Sequence, residues 1–209
     1  MASMSGAEWN LATELVPSRA EMSKVLELAK NSNPRNYVIF ALCSHTGLRI
    51  SEAIHIKTTD LVNGKMRVVR RKKRVLQPSS VEISGSIWNL LQEWAQQFDG
   101  YIFPGNAEPC VIHHRGKKAG QITEVCAGGH LHVRTAQVAW RHIITGLGLY
   151  MPRRGIHQTR HYFATEMYAA TKDLRATQVA LAHSSSTMTE KYAHCVDQRE
   201  KVNLVQSLL

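Results

Sequence analysis

The stretches KMRVVRR (65–71) and RVLQPSSVEIS (74–84) carry the β signal of this chain, and they flank a basic corner, Arg71, Lys72, Lys73 and Arg74. Two β-leaning runs around such a corner predict a hairpin. The other patterned segments have the helical period. The fold class expected is therefore α+β, mainly α-helical, with one small antiparallel sheet.

The helices are read from their stripes and stops. In VPSRAEMSKVLELAK, Ser18 precedes Glu21 by three residues, the spacing of a capping box. Met22, Val25, Leu26, Leu28 and Ala29 then make one apolar face. NPRNYVIFALCSHTG predicts a second, buried helix, with Pro34 in its first turn and Gly47 at its end. RISEAIHI reads as a short helix, and Thr58 to Asp60 as a turn. SIWNLLQEWAQQF sets Ile87, Leu90, Leu91 and Trp94 on one face. Residues 100–130 are rich in Gly, Pro and basic side chains, the least regular stretch, and loops of that length are often functional. Helices resume in VRTAQVAWRHIITGLG, IHQTRHYFATEMYAAT and LRATQVALAH. Residues 1–17 lack a stripe and read as a leader, a linker or a cloning remnant.

Charge narrows the partner. Lys and Arg number 26 against 16 Asp and Glu, a formal net charge of +10. Such a field draws polyanions, and nucleic acid fits it better than a lipid surface, since no strongly amphipathic basic helix is evident. No apolar run reaches the roughly 20 residues of a membrane span, and the N-terminus lacks the layout of a secretory signal. Cys43, Cys110, Cys126 and Cys195 are scattered, which fits free thiols in a reducing compartment. CVIHH and CAGGH also place Cys110, His113, Cys126 and His130 at spacings that resemble a zinc site; a Gly-rich loop that happens to hold these residues is the competing reading, and no metal is expected.

Four short motifs could carry chemistry. In TGLRISEA, Glu52 lies three residues after Arg49 and can fix its guanidinium, or the two form an ordinary surface pair. In HQTRH, His157 and Arg160 share a helical face and can present donors to one phosphate, or they are a polar first turn. The hairpin corner can send one lysine into a cleft while its neighbours contact phosphates, or it is a solvated turn. In LAHSSSTMTEKYAH, Tyr192 is either a partly buried ring that anchors a helix or a nucleophile. No carboxylate pair has the spacing of a two-metal nuclease.

Taken in order, TGLRISEA, HQTRHYFAT and LAHSSSTMTEKYAH resemble the three boxes of the tyrosine recombinase, or phage integrase, family. The resemblance runs from about Ser18 to Val196. Gln158 and Thr159 stand where the family often has Asp-Leu, and Ala182 where Gly is usual before His183. It implies a catalytic set of Arg49, Lys73, His157, Arg160, His183 and the nucleophile Tyr192, supported by Glu52. Lys72 is the runner-up to Lys73. Arg70, Arg71, Lys72 and Arg74 are expected to contact DNA. Tyr192 would form a 3′-phosphotyrosine, which conserves the phosphoester and needs neither ATP nor a cofactor. His157 would handle a proton near the tyrosine, His183 would hydrogen-bond the phosphate, and Lys73 would protonate the leaving 5′-oxygen.

The resemblance also implies site-specific recombination of double-stranded DNA for a phage or mobile element. It further implies a tetramer on DNA, a possible accessory DNA-bending protein and a cytoplasmic, nucleoid-associated location. The catalytic domain is expected to span residues 18–209, with residues 197–209 packing on a neighbouring subunit or on their own domain. A DNA-clamping domain usually precedes it, and the 17 leader residues are too few to form one, so a fragment is expected ahead of a naturally minimal recombinase. A type IB topoisomerase-like enzyme is the alternative function. A DNA-binding regulator with lost chemistry is a third reading, opposed by the intact set of reactive residues.

Overall fold

The computed structural model describes residues 16–72, 75–83, 85–105, 129–152 and 154–182, with residues 189, 190, 192 and 196. The first helix, α1 (Arg19–Ser32), starts at the expected box: Ser18 Oγ accepts from the Glu21 amide at 3.2 Å, and Glu21 Oε2 accepts from the Ser18 amide at 2.7 Å. Met22, Val25 and Ala29 are buried along its inner face. Val16 is buried as well, so packing begins inside the stretch read as a leader; residues 1–15 lie outside the described part.

Helix α2 (Pro34–Thr46) is the axis of the fold. Asn33 caps it and Pro34 occupies its first turn, as the sequence requires. It buries an unbroken run from Val38 to Ser44, because neighbours cover it on several sides. It ends at Gly47, whose φ of +66° is the left-handed C-terminal geometry that favours glycine. A short helix, α3 (Ile50–Ala53), follows.

The sheet has three antiparallel strands rather than two: β1 (Leu61–Val62), β2 (Lys65–Lys72) and β3 (Val75–Glu82), in that order. A 3₁₀ turn, Thr58–Asp60, leads into it. β1 was not foreseen, although its signal is present. Asn63 and Gly64 have φ of 49° and 74°, the left-handed pair of a two-residue hairpin turn, and Leu61 pairs with Met66. The basic corner is also tighter than expected. Lys72 pairs with Val75, so Arg71 and Lys72 are strand residues, and only positions 73 and 74 separate the strands. Pro78 lacks a donor and is tolerated in β3, which pairs only with β2 among the described strands. Side chains alternate along β2: Met66, Val68 and Arg70 are buried, and Val69 is 53% exposed.

Helix α4 (Gly85–Ala95) buries Ile87 and Leu91, with Leu90 and Trp94 partly buried beside them. The chain returns through Ile102 and Phe103, both fully buried. Pro104 and His130 form a bridge that closes the stem of the irregular stretch. Helix α5 (Val133–Gly146) lays Trp140 edge-on against Phe40 of α2, with ring centroids 5.2 Å apart. Helix α6 (Gln158–Thr171) packs on α2, and α7 (Leu174–Ala180), capped by Asp173, packs on α6. Thr189, Glu190, Tyr192 and Val196 are helical. Residues 197–209, read as a trans-packing segment, lie outside the described residues. Among those described, no helix is long and apolar enough to cross a membrane.

Candidate active site

The site forms where α2 ends. Gly47 turns the chain so that Arg49 caps α3, and Glu52 reaches back with both oxygens. One accepts from the Arg49 backbone amide and the other from Arg49 Nη1, each at 2.9 Å. The carboxylate is 6% exposed while the guanidinium stays partly open. Of the two readings of this pair, the geometry is that of a carboxylate which fixes the direction of an arginine.

Arg160, in the first turn of α6, is 1% exposed. It donates through Nη1 to the Gly47 carbonyl at 2.5 Å and through Nη2 to the Leu181 carbonyl at 2.6 Å. One planar fork thus joins all three sequence boxes, across 113 and 21 residues. A guanidinium has five N–H donors, so two carbonyl bonds leave three for other acceptors. Burial pushes its pKa down to about 10, Arg49 and Arg70 press the same way, and Glu52 and Tyr192 oppose them. It remains a cation at neutral pH.

Arg70 requires a correction. It was expected to meet DNA from the hairpin surface, yet it is 7% exposed on the inner face of β2. Its Nη1 donates to the Ala180 carbonyl at 3.3 Å, and its buried Nε has no hydrogen-bond partner among the described residues. The pleat explains this, because Arg70 follows Met66 and Val68 in the inward register. Burial lowers its pKa, Glu52 opposes that and Arg49 reinforces it. Arg70 and Arg160 therefore hold two successive carbonyls at the end of α7, where the helix dipole favours cations.

His157 stands at the N-cap of α6. Surrounding protein lowers its pKa first, then Arg160 and Arg49, while Glu52 opposes them. A neutral imidazole results.

Tyr192 is 6% exposed and packs with Ala164, Leu181 and Phe163. Its hydroxyl is hydrogen-bonded to Nδ1 of His161 at 2.8 Å. His161 directly follows Arg160 in HQTRHYFAT and is not among the residues the family resemblance singles out. The pairing joins residues 31 apart, and nothing local in the sequence marks it. Cys43 lies behind the site, and burial raises its thiol pKa to about 12, with Glu52 adding to the shift and Arg160 opposing it.

Lys73, Arg74 and His183 lie outside the described residues, and Arg71 and Lys72 are placed by their β2 backbone alone. So do Cys110, His113 and Cys126. His130 of that candidate metal set is described: it hydrogen-bonds at the Leu131 carbonyl and stacks on His55, with ring centroids 3.9 Å apart. No group of three or more His, Cys, Asp or Glu side chains among the described residues could hold a metal ion.

The site thus brings together Arg49, Glu52, Arg70, His157, His161, Arg160 and Tyr192 around one turn. Comparison with known proteins sets the chain beside tyrosine recombinases. The tyrosine recombinase XerD of Lacticaseibacillus casei is 30% identical over 173 residues, covering 78% of this chain and 52% of the relative. The tyrosine recombinase XerC of Herpetosiphon aurantiacus is 28% identical, covering 86% and 56%. The chain therefore spans about half the length of the curated relatives it matches. The fold matches the crystal structure of the XerH site-specific recombinase bound to palindromic difH substrate, a post-cleavage complex. The TM-score is 0.62 at 24% identity, covering 90% of this chain and 52% of that one. A family model described as the phage integrase family matches residues 18–199. The chain belongs to the phage integrase, or tyrosine recombinase, family.

Proposed function

We propose that this chain is the catalytic part of a site-specific DNA recombinase that cuts and rejoins double-stranded DNA through Tyr192. One observation carries the reading: three arginines, 49, 70 and 160, surround the single carboxylate of Glu52, beside a tyrosine whose hydroxyl meets an imidazole. Cations packed this closely repel one another. A phosphodiester supplies the missing negative charge.

In the proposed reaction, Arg49 and Arg160 hold the non-bridging oxygens and stabilise the charge that gathers on them. Tyr192 attacks phosphorus and displaces the 5′-oxygen, which leaves a 3′-phosphotyrosine. Lys73 gives the leaving oxygen its proton, and His183 donates to the phosphate. Lys72, two residues beyond Arg70 in the same strand, is the competitor for the lysine role. A new 5′-hydroxyl then reverses the step, without ATP or metal. DNA partnership, a tetramer and movement of a phage or mobile element belong to this proposal. The two relatives are named as tyrosine recombinases, with no phage or mobile element in their names.

The test is covalent trapping. A randomised library of nicked duplexes, incubated with the chain, yields a protein–DNA adduct and with it the target site. Tyr192→Phe is expected to remove the adduct altogether. An adduct that survives this substitution refutes the nucleophile. Relaxation of supercoiled DNA lacking the selected site indicates topoisomerase-like use instead. For the lysine, the variant that cuts only DNA with an improved leaving group identifies the acid.

A further inference from the structure

We propose that His161, and not His157, takes the proton from Tyr192 as its hydroxyl attacks the phosphate; the inference rests on the reading of Tyr192 as nucleophile. Nδ1 of His161 lies 2.8 Å from the Tyr192 hydroxyl, within the reach a general base needs. The two rings are tilted by 47°, with centroids 5.7 Å apart. His157 sits one helical turn earlier, its ring edge-on to that of His161 at 5.2 Å. The three rings therefore run in a row, and His161 is the middle one. Tyr192 is 6% exposed, so a proton leaving its hydroxyl needs an acceptor inside the protein.

The step balances without any further reactant. His161 starts neutral, with its hydrogen on Nε2 and a lone pair on Nδ1. The Tyr192 O–H bond breaks as the O–P bond forms, and the proton moves to Nδ1. The bond from phosphorus to the 5′-oxygen breaks, and that oxygen takes a proton from a separate acid. On rejoining, the phenolate leaves phosphorus and recovers its proton from His161.

Among the described residues, Arg160 feels Tyr192 together with Arg49, Glu52 and Arg70, and His157 feels Arg160, Arg49 and Glu52. Three guanidiniums against one carboxylate favour the phenolate as it forms. In the proposed cycle the proton rests on His161 while the phosphotyrosine stands and returns to the phenolate on rejoining.

The test follows single-turnover cleavage of the selected duplex between about pH 5.5 and 9.5, the range in which histidine titrates. In the wild type the rate rises through an imidazole limb and then levels. His161→Gln can still hydrogen-bond but does not titrate there; it is expected to slow the plateau by about 10²–10⁴-fold and to lose the limb. His157→Gln is expected to slow cleavage and keep the limb. A limb retained in His161→Gln, or lost in His157→Gln alone, overturns the proposal. Without DNA, nitrogen NMR of the intact chain is expected to show the His161 titration moving in Tyr192→Phe, and an unmoved titration overturns it too. If the adduct depends on Tyr192 while His161→Gln keeps the limb, only the base assignment fails and the recombinase reading stands.

Discussion

Around α2, Ile39, Phe40 and Leu42 are fully buried, and α1, α4, α5 and α6 all pack on that helix. Tyr192 belongs to a second cluster, separate from that core. Ala164 and Leu181 are its buried companions among the described residues, with Phe163 partly buried beside them. Burial stabilises both by about 25 cal/mol per Å² of apolar surface. The arginines stand on a body that resists opening. The tyrosine stands in a cluster joined to that body by polar bonds, through the Leu181 carbonyl and through His161. A shift of Leu181 would reach the arginine pocket through its carbonyl, which accepts from Arg160.

That contrast can be broken by truncating each side. Phe40→Ala is expected to cost about 3–5 kcal/mol and to lower the thermal midpoint of the whole chain. Leu181→Ala is expected towards the low end of the roughly 2–5 kcal/mol range for such changes, with faster amide exchange confined to α7 and the Tyr192 segment. Equal effects on the midpoint would mean that the two clusters unfold as one unit.

Gly47 is where the regions meet. A Cβ there would stand 2.9 Å from Leu181 Cδ2, and closer still to the ring of Phe163, at a φ of +66°. Gly47→Ala is expected to cost at least about 1–2 kcal/mol from the backbone alone. It should also loosen the grip of Arg160 on the Gly47 carbonyl, read as weaker binding of the selected duplex. Unchanged stability and binding would remove Gly47 from that role.

Acid acts on the site side of the contrast. The folded-state pKa of His157 is lowered from 6.5, by burial first and then by Arg160 and Arg49. The unfolded chain therefore binds the proton first on acidification. Its contribution to stability is present above pH 6.5 and fades as pH falls through the lower folded value. His157→Gln should flatten that part of a stability-against-pH curve; an unaltered curve contradicts the assignment. The smallest effect belongs to Ala182, whose φ is +50°. Ala182→Gly should relieve up to about 1 kcal/mol of strain, seen as a modest rise in the thermal midpoint.

The helices were legible because caps and stripes are local. Ser18 with Glu21, Pro34 and Gly47 all act where they stand in the sequence. Three features were written in the sequence yet passed over. Asn63-Gly64 is a hairpin turn signal, and the Met66, Val68, Arg70 alternation already placed Arg70 inward. Ala182, read as a minor departure from glycine, turns out to occupy a left-handed position. The pairing of His161 with Tyr192 was not legible, because tertiary packing alone brings α6 beneath the later helix. The roles of Lys73 and His183 remain assigned by family resemblance.

The stem of the irregular stretch has a practical consequence. The Leu131 amide donates to the Phe103 carbonyl at 2.7 Å, and the Gly105 amide to the Gly129 carbonyl at 2.9 Å. Those two bonds pin the ends of whatever lies between them, and loop-closure entropy grows only slowly with length. The described fold is expected to tolerate added length at that point. A peptide tag or a small domain grafted between Asn106 and Gly128 should leave the arginine pocket where it is, so this position is a natural port for variation and for engineering.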